Sequence, residues 1–132
     1  VEGGVIVSLN QPSKLLRFAA DCDNEEIRLD PALAGINSQT RAVPLPDVLL
    51  PASAQSELPN EDEMYRRALA TAQAGRLALA GASGPMYDSL IYGAAVCLLH
   101  MGVENSLKDA SVTVRSVLDS GQPAARFDAG CY

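Results

Sequence analysis

The run Ser83–Gly121, SGPMYDSLIYGAAVCLLHMGVENSLKDASVTVRSVLDSG, decides how the rest of the chain is read. It spells two helices joined by a short connector. In the first, Met86, Leu90, Ile91, Ala94, Ala95, Leu98 and Leu99 recur at helical spacing, while Tyr87, Val96, Cys97 and Met101 fill much of the opposite side. A helix that is apolar nearly all round belongs inside a core. Gly93, Ala94 and Ala95 narrow its waist, Pro85 suits its first turn, and Gly102 stands where a left-handed residue ends it. The second helix opens with Ser106 and Asp109 at capping-box spacing. Leu107, Ala110, Val114, Val117 and Leu118 form its stripe, and Gly121 with Pro123 is expected to stop it.

Working outward, the bulk composition bounds the remainder. A chain of 132 residues, 48% hydrophobic and 20% charged, is one ordinary domain that can bury a core without disulfides or metal. It opens on Val1 with a strand expected almost at once, which predicts a processed or truncated piece of a longer protein. Apolar runs stay short of the roughly 18 residues a membrane span needs, and no basic-plus-apolar leader is seen, so a cytoplasmic setting with no membrane partner is expected. Cys22, Cys97 and Cys131 are odd in number and lack metal-type spacing, which reads as free thiols in a reducing compartment. Cys97, on the apolar helix, reads as a small core residue. The net charge of −6 argues against generic binding of polyanions and leaves room only for a local basic patch.

Upstream, Val1–Leu9 reads as a loop entering a strand that Pro12 ends. Lys14–Ala20 and Glu25–Leu29 flank the polar cluster Asp21–Asn24, a hairpin pattern. Asp30-Pro31 closes the second strand, and the following PALA makes one helical turn ended by Gly35. Residues 37–59, with Pro44, Pro46, Pro51 and Pro59, read as a long surface connection with one short turn near Asp47–Leu50. Asn60 and Glu63 then cap a helix whose first turn is acidic, with Met64, Ala68, Leu69 and Ala72 as its inner stripe and Gly75 as its expected stop. The stretch from Arg76 to Ser83 fits either a continuation of that helix or a tight crossover. After Gly121 a single short turn and a loose tail are expected.

Chemistry-bearing patterns are sparse. The one histidine, His100, falls in the last turn of the apolar helix, where a cation suits the helix dipole. The chain has no G-x-S-x-G elbow, Walker loop or G-x-G-x-x-G. Asp21, Asp23, Glu25 and Glu26 read as a solvated turn, and Glu61, Asp62 and Glu63 as a helix start. Gly3-Gly4 could let backbone approach a phosphate, though it also reads as a plain turn.

Two segments resemble the anthranilate phosphoribosyltransferase family (glycosyl transferase family 3). EEIRLDPALAGI is similar to that family's strand, L-D-P, short helix and glycine. The stretch from Gly84 to Asp128 resembles its Gly-Pro-x-x-Asp opening, with Gly84, Pro85 and Asp88, its Ala-rich helix, with Ala94 and Ala95, and its closing helix, with Ser106, Leu107, Asp119, Ser120, Gly121 and Ala124. VEGGVI is similar to the family's V-D-G-L-D-E strand end. The resemblance covers most of the chain apart from residues 37–59.

It implies an α/β fold, the C-terminal portion of a phosphoribosyltransferase-like α/β domain, with a few strands including a hairpin and about three packed helices. The helical N-terminal domain and the phosphate loop would lie upstream, making the missing N-terminal portion of the same protein a partner. Family enzymes transfer a phosphoribosyl group from phosphoribosyl pyrophosphate with magnesium on the leaving pyrophosphate. Here Val5 and Ile6 stand at the acidic pair that carries the metal, and aliphatic side chains cannot bind a hard cation. Glu2, Gly3 and Gly4 remain as candidate substrate-binding residues; no metal ligand set and no cofactor is assigned within this chain, with magnesium reserved for an active intact protein. The departure looks closer to a divergent branch that binds nucleic acid, for which Lys14, Arg17 and Arg28 are the candidate contacts. Three readings result: a divergent homologue inactive by itself, a transferase whose remaining site lies upstream, and a nucleic-acid-binding homologue.

Overall fold

In a computed structural model, residues 8–17, 23–44 and 61–130 are described. They form a mixed α/β arrangement that is mostly helical. A two-stranded antiparallel hairpin, β1 (Ser13–Arg17) and β2 (Glu25–Leu29), leads into a 3-10 turn over Pro31–Ala34. Four helices follow: α1 (Glu61–Leu79), α2 (Pro85–His100), α3 (Leu107–Asp119) and α4 (Gln122–Gly130). No helix among the described residues is long and apolar enough to cross a membrane.

The hairpin pairs Ser13 with Leu29, Leu15 with Ile27 and Arg17 with Glu25, so alternate residues share a face. Leu15, Ile27 and Leu29 turn toward the helices, and Lys14, Leu16, Glu26 and Arg28 face out. The expected first strand extended to Ala20, but residues 18–22 lie outside those described. So do 1–7 and 45–60, and with them the opening strand, the turn near Asp47–Leu50 and the Asn60 cap. The Asp30-Pro31 expectation holds in detail. Asp30 Oδ1 accepts from the Ala32 amide at 3.1 Å, and Gly35 ends the turn at φ 70°. Part of the long connection is held by the segment ahead of the hairpin: the Leu9 amide donates to the Arg41 carbonyl at 2.9 Å, the Asn10 amide side chain to the Gln39 carbonyl at 3.4 Å, and Leu9 is buried.

The centre of the molecule is α2 against α3, with the Pro31–Ala34 turn laid over their junction. Ile91, Tyr92, Ala95 and Ala110 are wholly buried there together with Leu29 of β2. Ser106 caps α3 as its spacing predicted, its Oγ accepting from the Asp109 amide at 3.1 Å and donating to Asp109 Oδ2 at 2.6 Å. At the end of α2, Gly102 adopts φ 69°, and the Gly102 and Val103 amides reach back to the Leu99 and Leu98 carbonyls. Those bonds satisfy carbonyls that a helix end leaves without partners.

Four expectations are corrected. Gly75 does not stop α1, which runs on to Leu79 and ends at Gly81 (φ 88°). The Gly81 and Ala82 amides donate to the Ala78 and Leu77 carbonyls, a closure that needs a left-handed residue, whereas Gly75 is ordinary helix. Met64 and Leu69 are not on the inner face of α1; they are 58% and 59% exposed. The helix instead packs through small residues, Ala78 buried and Ala70 and Ala74 half-buried, and through Glu63, whose carboxylate meets Arg67 at 2.6 Å. Val117, counted in the stripe of α3, is about half exposed, and Ser111 takes an inward position by donating its hydroxyl to the Lys108 carbonyl. The single short turn expected after Gly121 is instead a nine-residue helix, α4, with Pro123 in its first turn, where no amide partner is lost, while α3 does stop at Asp119 ahead of Gly121 (φ 73°).

Candidate functional site

Three arrangements of side chains bear on function. The first is the hairpin, where the candidate cations lie. Lys14 and Arg28 are directly opposite each other on the outer face, while Arg17 is on the inner face, so the fold brings two of the three together. Each is next to a carboxylate. Lys14 Nζ is 2.7 Å from Glu26, Arg28 is 3.5 Å from Asp30, and Arg17 Nη1 donates to Glu25 at 3.2 Å. Exposed pairs of this kind contribute about 0–1 kcal/mol each, so they hold the side chains only loosely. Arg17 has a further tie: its Nη2 donates to the Leu99 carbonyl at 2.8 Å, capping the C-terminal end of α2. The Glu2, Gly3 and Gly4 candidates, and Val5 and Ile6, lie outside the described residues.

The second arrangement joins α2, α3 and the Pro31–Ala34 turn. The Tyr87 hydroxyl donates to Asp119 Oδ1 at 2.6 Å, and one turn earlier on α3 Arg115 Nη2 donates to the Ala34 carbonyl at 3.0 Å. An acid in the last turn of a helix faces the negative end of the dipole, and the phenol offsets that cost. The same bond holds the Tyr87 proton: its pKa is raised first by the hydrogen bond to Asp119, then by burial and by the Asp119 charge, with Arg115 opposing. Tyr92, deeper in α2, is raised first by burial, with Ser13 opposing and Asp30 adding. Although Ser13 is near enough to influence Tyr92, neither hydroxyl makes a hydrogen bond among the described residues.

The third is an apolar groove of about 530 Å³ along the side of α2 that the hairpin does not cover. Leu90, Ala94, Cys97 and Leu98 of α2 line it together with Val114 and Val117 of α3 and Pro123 of α4. Cys97 is a free, exposed thiol here, which corrects its reading as a core residue. The sequence carries the signal for this groove in the all-round apolar surface of α2, but that pattern by itself implies burial on every side. His100 is half-buried at the helix end, as its position in the last turn implied, and its Nδ1 makes no hydrogen bond among the described residues.

No group of three or more His, Cys, Asp or Glu that could hold a metal ion occurs among the described residues. Comparison with known proteins finds no matching family model, no matching curated protein and no matching solved structure.

Proposed function

We propose that this chain is the C-terminal part of the α/β domain of a divergent protein of the anthranilate phosphoribosyltransferase type, a scaffold that is inactive by itself. The observation that carries the reading is how the resembling segments meet. Tyr87 lies inside the G-P-x-x-D opening of α2, and it bonds Asp119 of the closing D-S-G. Arg115, in the same closing helix, bonds the carbonyls of Ala34 and Gly35 at the end of L-D-P-A-L-A-G. The two resembling segments, far apart in sequence, are thus tied to each other through Arg115, and the opening and close of the second are tied through Tyr87 and Asp119. Scaffolds of this kind outlast the chemistry first built on them.

The magnesium of the family enzymes does not fit the residues present. In the sequence Val1–Ile6, Glu2 is the lone carboxylate and Val5 and Ile6 stand at the family's acidic pair, whereas a hard divalent cation takes several oxygen ligands. Transfer from phosphoribosyl pyrophosphate, in the alternative reading, would rest on residues upstream. A nucleic-acid-binding role would rest on Lys14 and Arg28, whose shared face is the specific feature favouring it.

The structure of the whole polypeptide tests the proposal: a helical domain and a larger sheet that continues onto this chain support it, and an unrelated upstream fold overturns it. Calorimetry on the whole protein with phosphoribosyl pyrophosphate and magnesium is expected to give no binding heat. A gel shift over a salt series separates the nucleic-acid reading, because phosphate contacts produce a steep loss of affinity with salt.

A further inference from the structure

We draw no further inference here: the strongest candidate, the apolar groove between α2 and α3 that holds the exposed thiol of Cys97, carries nothing because nothing in the structure shows what covers it.

Discussion

Tyr87 and Asp119 are the two side chains on which the contact between α2 and α3 can be tested most directly. Their 2.6 Å bond joins a neutral donor to a charged acceptor, the class worth about 1.5–3 kcal/mol. Replacing Tyr87 by Phe is therefore expected to lower stability by about that amount in urea unfolding at neutral pH. Tyr92 makes the opposite case. It is wholly buried and its hydroxyl has no hydrogen-bond partner among the described residues, so Tyr92→Phe removes a desolvated group that returns nothing. That variant is expected to be as stable as the parent or more so, and a loss above about 1 kcal/mol would show a bond that this geometry lacks. Both phenols have pKa values raised above the ordinary 10, which fixes the sign of the alkaline limb. The folded state holds protons that the unfolded state releases first, so the stabilisation is complete below pH 10 and declines as pH rises through the raised folded values. Unfolding midpoints measured from pH 8 upward should be flat and then fall, and less steeply in Tyr87→Phe.

At the scale of elements, α1 and α3 are instructive because α3 follows its sequence pattern far more closely than α1 does. In α3 a small polar cap precedes an apolar stripe of which Leu107, Ala110, Val114 and Leu118 are buried and Val117 is not, and the cap acts locally, so Ser106 and Asp109 could be placed from their spacing alone. Ser106→Ala should cost about 0.5–2 kcal/mol by loss of the cap. In α1 the inward face is made of alanines and a Glu63–Arg67 pair, while Met64, Tyr65 and Leu69 point out. Periodicity assigns the largest apolar residues to the core, and nothing local marks an ion pair as the packed side. The hairpin was legible for the same reason as α3: turn-forming residues at 21–24 and Asp30-Pro31 act over a few positions. Gly75 departs from expectation because glycine ends a helix only where a left-handed conformation is required, and here it is ordinary helix. A Cβ added at Gly75 would meet nothing within 4 Å. Gly75→Ala is accordingly expected to stabilise by about 0.5–1 kcal/mol, checked by thermal unfolding.

For the molecule as a whole, the distribution of apolar surface decides how α2 should be understood. Its Tyr87, Ile91, Tyr92, Ala95 and Val96 are buried, yet Ala94 and Cys97 on the other side are exposed. A helix this apolar is ordinarily enclosed, so the fold as it stands satisfies only part of what the sequence of α2 demands. The candidate site was correspondingly half legible. Lys14, Arg17 and Arg28 could be picked out by type, but the carboxylates of Glu26, Glu25 and Asp30 beside them come from pairing register and strand ends. Cys97 turns the question of the groove into a measurement. With its thiol open to solvent, the native chain should be alkylated by a maleimide at Cys97 at a rate within about tenfold of the unfolded chain, since thiol reactivity follows exposure. Peptide mapping by mass spectrometry separates this site from Cys22 and Cys131. Labelling of Cys97 that is orders of magnitude slower in the native state would mean that the groove is closed, and that α2 is enclosed on both sides as its composition suggests.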